Sequence, residues 1–278
     1  MRHTIIIAEA GVNHNGDLTL AKRLVDAAAD AGADYIKFQT FRSEELVAKS
    51  AKMADYQKEN LQAEDDSQLA MLKRLELSEA DHRELISYAA ERGIRFLSTA
   101  FDLASIDFLH SLQPDFWKVP SGEITNLPYL RKIAEKGGRV VMSTGMCAIS
   151  DVLAAVEALT DAGVKRDDIT LLHCNTQYPT PFADVNLRAM QHLADATGLS
   201  VGYSDHTVGI EVPIVAVALG ACVIEKHITL DRTLPGPDQA ASIEPDELRR
   251  MVAAIRNIEQ ALGSGVKEIT ASERPNIA

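Results

Sequence analysis

Short apolar runs alternate with amphipathic stretches along the whole chain. Eight of these runs are rich in β-branched and aliphatic residues, which is typical of strands that are buried on both faces. The runs predict strands at Thr4–Ala8, Tyr35–Phe38, Ile94–Leu97, Phe116–Val119, Val140–Met142, Ile169–Leu172, Ser200–Gly202 and Cys222–Ile224.

The stretches between the runs have helical spacing. Leu20–Ala31 places Leu24 and Ala28 on one apolar stripe, and Gly32 follows as a typical helix end. Alternating strands and helices imply parallel pairing, and eight strands favour an α/β fold closed into a (β/α)₈ TIM barrel over an open doubly wound sheet. The first strand is not followed by a GxGxxG turn, which argues against a dinucleotide-binding fold. Further helices are predicted over Ser78–Glu91, Ser150–Ala162 and Pro245–Leu262.

Composition fits one large domain. The chain has 278 residues, is 46% hydrophobic and carries a net charge of 28 minus 40, or -12. An acidic chain without a long basic run argues against binding to nucleic acid or to an anionic membrane surface. The first apolar stretch is too short for a signal sequence or a membrane span. Three cysteines without CxxC spacing suggest reduced thiols in a cytoplasmic protein.

The connection from Thr40 to Ser78 is far longer than the others. Such a long segment within a compact domain is usually a lid, a binding loop or a disordered excursion. Loops that follow barrel strands lie on the catalytic face, so we expect a lid, with a merely mobile excursion as the alternative. Its polar residues are Lys49, Lys52, Gln57, Lys58, Glu59, Asn60, Gln62, Glu64, Asp65 and Asp66.

Polar residues are expected just beyond all eight strands. In a barrel these positions converge on one pocket at the carboxyl ends of the strands. In chain order they are Glu9; Lys37 and Gln39; Ser98 and Thr99; Lys118, Ser121 and Glu123; Ser143 and Thr144; His173, Asn175, Thr176 and Tyr178; Ser204, Asp205 and His206; and Glu225, Lys226 and His227.

Two of these residues, His206 and His227, are placed alike at the ends of the last two runs. Together with Glu9 they suit a divalent metal whose open positions hold water or a substrate oxygen. The alternative is that both are plain hydrogen-bonding groups.

Lys37 and Lys118, with hydroxyl groups nearby, suit the phosphate and carboxylate of a small anionic substrate. Alternatively, one lysine forms an ion pair inside the barrel with Glu9 or Glu123. Lys118 is also a candidate for Schiff-base chemistry. Asp238, in a turn after the last strand, is either a ligand for a sugar hydroxyl or a turn-stabilising aspartate.

Eight motifs spread over essentially the whole chain closely resemble the sialic acid synthase family. They are Ala8-Glu9-Ala10-Gly11-Val12-Asn13-His14-Asn15-Gly16, Lys37-Phe38-Gln39, Lys118-Val119-Pro120-Ser121-Gly122-Glu123, Ser143-Thr144-Gly145-Met146, His173-Cys174-Asn175-Thr176-Gln177-Tyr178-Pro179, Tyr203-Ser204-Asp205-His206-Thr207, Glu225-Lys226-His227 and Pro235-Gly236-Pro237-Asp238.

The resemblance implies a transferase that condenses phosphoenolpyruvate with N-acetylmannosamine or a related acetamido sugar, giving N-acetylneuraminate or a related nonulosonic acid and phosphate. It implies that His206 and His227 hold a divalent ion, usually Mn²⁺, with Mg²⁺ or Co²⁺ as alternatives, and that Glu9 orients water and manages protons. The residues implied around phosphoenolpyruvate are Lys37, Lys118, Ser121, Thr144, Ser204 and one or both of Asn175 and Thr176. Those implied on the sugar side are Glu9, Gln39, Tyr178 and Asp238.

Members of this family usually continue into a C-terminal antifreeze-like domain that completes a homodimer. Here residues 1–265 match the barrel, and residues 266–278 match the start of the linker. Either the sequence is part of a longer chain or the protein lacks that domain. Sugar affinity and dimer formation depend on which is true.

Three readings of the function remain open. The first is a legionaminate-type synthase, whose acceptor is a 2,4-diacetamido-trideoxy sugar. This acceptor ranks close behind N-acetylmannosamine, because Asp66-Ser67-Gln68-Leu69 and the Gly122–Leu130 segment resemble both subgroups of the family. The others are a Schiff-base aldolase acting through Lys118 and a barrel that binds its ligands without turnover.

Overall fold

A computed structural model describes residues 3–46 and 67–277. It contains eight strands that follow the predicted order. They are β1 (Ile5–Gly11), β2 (Tyr35–Thr40), β3 (Arg95–Ala100), β4 (Trp117–Val119), β5 (Val140–Ser143), β6 (Ile169–Cys174), β7 (Ser200–Asp205) and β8 (Val223–His227).

Helices connect the strands and surround them. They are α1 (Leu18–Ala31), α2 (Ser43–Leu46), α3 (Gln68–Leu75), α4 (Glu79–Glu91), α5 (Leu103–Ser111), α6 (Leu127–Lys136), α7 (Ile149–Asp161), α8 (Ala189–Thr197), α9 (Glu211–Ala218) and α10 (Pro245–Ala261). Gly32 ends α1 in the left-handed conformation, at φ 80°, as its position predicts.

The eight strands form one parallel sheet in the order β3-β2-β1-β8-β7-β6-β5-β4. β3 and β4 lie side by side, so the sheet is nearly closed into a ring. The predicted (β/α)₈ barrel is therefore confirmed. None of the helices within the described ranges combines the length and apolar character that crossing a bilayer requires.

The predicted strand ends were wrong in one consistent direction. Seven of the eight strands continue one to three residues beyond the predicted carboxyl end, so that Glu9, Gln39, Ser204 and His227 lie within strands and not beyond them. The reason is that polar side chains at these positions satisfy one another inside the barrel mouth. Their polarity therefore does not terminate the strand.

The lower part of the barrel interior is filled by apolar side chains. We call this set the apolar layer, and Gly202 leaves room for it, because a Cβ there would lie 2.7 Å from Leu172 Cδ2 and 2.4 Å from the Val223 carbonyl oxygen. Larger apolar clusters fill the space between the sheet and the helices. The members of the apolar layer are Ile7, Tyr35, Leu97, Phe116, Val141, Leu172 and Val223.

The long connection after β2 is only partly described. The ten polar residues on which its interpretation as a lid rests, Lys49 to Asp66, lie outside the described residues. Its described parts, α2 and α3, lie beside the barrel mouth, where Leu46, Met71 and Leu72 line a cavity.

Candidate active site at the carboxyl ends of the strands

A layer of polar side chains lies directly above the apolar layer. Each member is two residues further along its strand than an apolar-layer position or Gly202, and side chains two residues apart in a strand point to the same side. We call this set the polar layer. Its members, which all line one cavity of about 490 Å³, are Glu9, Lys37, Thr99, Lys118, Ser143, Cys174, Ser204 and Glu225.

Four charged members of the polar layer form a buried network. Lys37 Nζ lies 2.8 Å from Glu9 Oε1 and 3.3 Å from Glu225 Oε2, while Lys118 Nζ lies 3.3 Å from Glu225 Oε1. Ser204 Oγ donates to Glu225 Oε1 at 2.9 Å. The predicted alternative of an ion pair between Lys37 and Glu9 is therefore confirmed. Lys118 pairs with Glu225, which had not been singled out as its partner.

The network sets the protonation of its members. Burial alone would raise the pKa of Glu9, but the positive charges of Lys37, His227 and Lys118 outweigh it and hold that pKa well below its usual range. Burial would lower the pKa of Lys37, but Glu225 and Glu9 outweigh it and raise that pKa. Glu9 is therefore a carboxylate and Lys37 an ammonium ion at neutral pH.

Lys118 behaves differently from Lys37. Burial lowers the pKa of Lys118, and attraction to Glu225 opposes this without reversing it. Its ammonium group also donates to Ser143 Oγ at 2.8 Å. Of the two lysines, Lys118 is thus the more easily deprotonated.

His206 and His227 lie together above the polar layer, with ring centroids 5.6 Å apart. The Nδ1–H group of His206 donates to the carbonyl oxygen of Asn175 at 2.5 Å, and Nε2 accepts from the Tyr178 hydroxyl at 2.9 Å. Burial, followed by repulsion from His227, lowers the pKa of His206 to about 3. His206 is therefore neutral, with a lone pair on the nitrogen that faces the cavity.

His227 completes the pair. Its Nε2 lies 3.6 Å from Glu9 Oε2, and its buried Nδ1 has no hydrogen-bond partner within the described part of the chain. Gly11 approaches this ring so closely that a Cβ there would lie 3.3 Å from His227 Cε1. The strand alternation, two residues up from Ser204 and Glu225, brings both imidazoles to the same side of the barrel mouth.

The two imidazoles fit a divalent ion in several respects. They are close enough to share an ion, since each imidazole nitrogen lies about 2.1 Å from a bound metal. The backbone contact of His206 Nδ1 is the type of interaction that orients metal-binding histidines. Within residues 3–46 and 67–277, however, no group of three or more His, Cys, Asp or Glu side chains has metal-binding geometry. An ion held here would have two protein nitrogens and several open positions.

Most of the predicted site residues lie around this cavity. Thr144 and Asn175 do not line it: the Thr144 hydroxyl donates to the Leu172 carbonyl at 3.0 Å, and Asn175 Oδ1 accepts from the Gln177 backbone N–H at 2.7 Å. Of the Asn175-Thr176 pair, only Thr176 lines the cavity. The predicted residues that do line it are Glu9, Lys37, Gln39, Lys118, Ser121, Thr176, Tyr178, Ser204, His206, His227 and Asp238.

The apolar part of the lining was not predicted from the sequence. Its aliphatic and aromatic side chains do not differ from core residues in the sequence, and the predicted site rested on polar groups at strand ends. The helical spacing of Met71, Leu72 and Leu75 could have revealed that this part of the long connection is ordered. The missed apolar residues are Val12, Phe41, Leu46, Met71, Leu72, Leu75, Phe101 and Met146.

A polar cavity at the carboxyl ends of eight parallel strands is the place where (β/α)₈-barrel enzymes carry their active sites. The chain belongs to the NeuB family, whose model matches residues 24–267. The resemblance to sialic acid synthases is thereby confirmed, as is the expectation of an enzyme of that synthase class.

Three similar proteins illustrate the relationship. The chain is 54% identical to the N,N'-diacetyllegionaminic acid synthase of Campylobacter jejuni, covering 100% of this chain and 83% of that protein. It is 53% identical to the enzyme of the same name from Legionella pneumophila, covering 97% and 76%. The solved N-acetylneuraminic acid synthetase of Leptospira borgpetersenii, in complex with citrate, has a TM-score of 0.87 at 37% identity, covering 99% and 90%.

Proposed function

We propose that this protein condenses phosphoenolpyruvate with an N-acetylated mannosamine sugar and water, giving a nonulosonic acid and phosphate. The observation that carries the proposal is the polar layer, with two lysines beneath the imidazoles of His206 and His227, in a chain of the NeuB family. Of the two acceptors named from the sequence, the 2,4-diacetamido-trideoxy sugar is favoured. The two legionaminic acid synthases share 54% and 53% identity with this chain, against 37% for the sialic acid synthetase.

The proposed reaction balances without an oxidant or a reductant. The methylene carbon of phosphoenolpyruvate bonds to the aldehyde carbon of the open-chain sugar, whose oxygen gains a proton and becomes a hydroxyl group. Water adds to the cationic enol carbon that results and loses a proton. The hydroxyl group formed in this way passes its proton to the phosphate as the bond from that carbon to the phosphate oxygen breaks, which releases phosphate and leaves a 2-keto acid.

In this proposal the lysines bind the anionic substrate. Phosphate and carboxylate groups would replace the carboxylates of Glu9 and Glu225 as partners of Lys37 and Lys118, while Ser121, Thr176 and Ser204 supply hydroxyl donors. Placement of the phosphate on this side leaves the sugar near Glu9, Gln39, Tyr178 and Asp238. Burial raises the pKa of the Asp238 carboxyl, which makes it a candidate for a hydrogen bond to a sugar hydroxyl.

His206 and His227 would hold the divalent ion, Mn²⁺ being the first candidate. When bound, such an ion supplies Lewis-acid polarisation of an oxygen. The Tyr178 hydroxyl donates a hydrogen bond to His206 Nε2. It would lose this contact when Nε2 binds the ion, and it would then be available to the sugar. Glu9 Oε2 lies 3.6 Å from His227 Nε2, and Glu9 would orient water and accept its proton once Lys37, which lowers the pKa of Glu9, has moved to the anionic substrate.

The test is phosphate release from phosphoenolpyruvate with a panel of mannosamine derivatives, with and without chelator. We expect release only when sugar and divalent ion are both present, and loss of release in His206→Ala and His227→Ala with an unchanged circular dichroism spectrum. Full activity after exhaustive chelation would contradict the role of the ion. Binding of phosphoenolpyruvate with no product from any sugar of the panel would favour a barrel that binds without turnover.

The Schiff-base alternative has one supporting observation, the lowered pKa of Lys118. Borohydride reduction in the presence of pyruvate decides between the two chemistries. We expect Lys118 to stay unmodified by mass spectrometry, because its nitrogen is engaged by Glu225 and Ser143. A cytoplasmic location and a homodimer completed by a C-terminal domain remain expectations from the family.

A further inference from the structure

The cavity has two chemically different sides. On the side of β4 to β7 it is lined by the hydroxyl groups of Ser121, Ser143, Thr176 and Ser204. On the side of β1 to β3 the residues that directly follow the strands are apolar. They are Val12 after β1, Phe41 after β2 and Phe101 after β3.

Helix α3 extends this apolar side. Met71, Leu72 and Leu75 lie on one face of α3, and they pack with Val12 and Phe41 in a separate hydrophobic cluster that Phe101 adjoins. All six side chains line the cavity. We call these residues, Val12, Phe41, Met71, Leu72, Leu75 and Phe101, the apolar wall.

The position of α3 is fixed against the barrel. Gly16, in the loop after β1, has φ 75°, and a Cβ there would lie 2.1 Å from the carbonyl oxygen of Arg74 in α3. Any larger residue would push α3 away, so the wall depends on this close approach of two backbone segments. Ser67 caps the start of α3 by accepting from the Ala70 backbone N–H at 3.3 Å.

The wall is unsuited to a charged or hydroxyl-rich group. Among the described lining residues the cations are Lys37 and Lys118, and both belong to the polar layer, where they are paired with carboxylates. A hydroxyl or phosphate group placed against the wall would lose its hydrogen bonds to water without replacement. Methyl groups would instead be transferred from water to an apolar surface, which is favourable.

Amide side chains stand next to the wall. Gln39 precedes Phe41 by two residues at the end of β2, and Gln68 begins the same helix that carries Met71 and Leu72; both line the cavity. A surface of methyl-accepting side chains flanked by amides matches an acetamido group, which combines one methyl group with one amide.

We propose that the apolar wall is the specificity element for the acceptor, and that it selects a sugar with a methyl group at C6 and an acetamido methyl at C4 over one with a hydroxyl or phosphate at C6. This rests on the proposed function, because it assumes that the sugar is condensed in this cavity. The wall lies on the side opposite the hydroxyl-lined half, so it receives the acceptor while the anionic substrate takes the lysines.

The first experiment uses the unaltered protein and two acceptors that differ only at C6, one a 6-deoxy sugar and the other its 6-hydroxy counterpart. We expect kcat/KM to favour the 6-deoxy sugar at least tenfold, since one hydrophobic group in an enzyme pocket discriminates by about 10- to 200-fold. Equal kcat/KM values, with both sugars condensed, would overturn the inference while leaving the proposed function intact. Failure to condense either sugar with phosphoenolpyruvate would instead count against the proposed function.

The second experiment changes the wall. Val12→Thr replaces one methyl group with a hydroxyl of similar size, and Leu72→Asn replaces the two terminal methyl groups of a side chain on α3 with an amide of similar size. Each is expected to lower the preference for the 6-deoxy sugar by about fivefold or more, while the affinity for phosphoenolpyruvate is kept. The matched control is Leu69→Asn, which lies on the same helix outside the cavity lining and should keep the wild-type preference.

Val12 and Leu72 lie on separate elements. If Leu72→Asn unfolds α3, Val12→Thr therefore still tests the role of the wall. A preference that stays at the wild-type value in a folded Val12→Thr protein would contradict the role of the wall. An equal loss of preference in Leu69→Asn and Leu72→Asn would contradict it as well.

Discussion

The ammonium group of Lys226 on β8 donates to the carboxylate of Asp205 on β7, and also to the Thr207 carbonyl oxygen at 2.7 Å. Asp205 in turn accepts from the backbone N–H and the hydroxyl of Thr207. Lys226 and Asp205 each directly precede one of the two imidazoles, His227 and His206. The pair therefore ties together the two strand ends that carry the histidines.

Lys226→Met is expected to lower the free energy of unfolding by about 3–5 kcal/mol, because it leaves the carboxylate of Asp205 buried and uncompensated. Urea unfolding measures this change. The matched control is Arg249→Ala, which breaks an exposed ion pair with Asp246 and should cost about 1 kcal/mol or less.

A second measurement separates positioning of the histidines from stability. If the pair sets their spacing, Mn²⁺ titration followed by electron paramagnetic resonance will give weaker binding in folded Lys226→Met than in the unaltered protein. Unchanged Mn²⁺ affinity would restrict Lys226 to a role in stability.

Glu225 forms ion pairs with both Lys37 and Lys118, so the four charged side chains of the polar layer have no net charge. Two ammonium groups face the carboxylates of Glu9 and Glu225 before any substrate binds. Glu225→Gln leaves one positive charge in excess beside the bound anion. We expect phosphoenolpyruvate to bind about tenfold more tightly, which corresponds to about 1.4 kcal/mol, as measured by calorimetry without sugar.

The matched control for Glu225→Gln removes one negative charge elsewhere. Glu157 is exposed on α7, so Glu157→Gln should leave the affinity for phosphoenolpyruvate unchanged at ordinary ionic strength. Weaker binding in Glu225→Gln would mean that the carboxylate orients the lysines more than it competes for them.

Much of this arrangement was predictable from the sequence. The apolar runs gave the barrel, because buried parallel strands have few other patterns, and the shared placement of His206 and His227 suggested that the two lie close together. The hydroxyl and lysine positions followed from the convergence of strand ends. These inferences depend on chain order and strand period alone.

The rest depended on contacts between distant segments. Nothing local in the sequence indicates that Glu225 pairs with both lysines, since Lys37 and Lys118 lie on other strands. The same is true of Thr144, whose hydroxyl donates to the backbone of β6 and is not directed to the cavity. The apolar wall was missed because its members resemble ordinary core residues when each is taken alone.

Gly145 supports the hydroxyl-lined side of the cavity. Its backbone N–H donates to Ser121 Oγ at 3.0 Å, and a Cβ at this position would lie 2.6 Å from Thr176 Cγ2 and 2.9 Å from Ser121 Oγ. Gly145→Ala should therefore displace both side chains and raise the Kd for phosphoenolpyruvate about five- to tenfold. Gly122→Ala is the control, because a Cβ there meets nothing within 4 Å although the residue also lines the cavity. Equal Kd values for the two variants would show that Ser121 and Thr176 do not bind this substrate.

His14 makes stability depend on pH. It lies in the loop after β1, where its Nδ1 accepts from the Gly16 backbone N–H at 3.0 Å, and its buried Nε2 has no hydrogen-bond partner among the described residues. Burial, followed by repulsion from His82, lowers the pKa of His14 to about 4; the backbone contact with Gly11 and the charges of Asp81 and Asp17 oppose this only in part.

The sign follows from the two protonation equilibria. As the pH falls below about 6.5, the unfolded chain takes up a proton at residue 14, whereas the folded protein does not until about pH 4. Stability is therefore complete above pH 6.5 and is lost as the pH falls toward 4, by at most about 1.4 kcal/mol per pH unit from this residue. His82, whose pKa burial also lowers, adds to the loss in the same direction.

His14→Asn removes this titration and keeps an acceptor for the Gly16 N–H. Urea unfolding at pH 7.5 and pH 5 should show a smaller loss of stability in His14→Asn than in the unaltered protein, whatever their difference at pH 7.5. His192→Asn, an exposed position on α8, should keep the full loss. An equal loss in His14→Asn and the unaltered protein would mean that the His14 ring gains a proton in the folded state as readily as in the unfolded one.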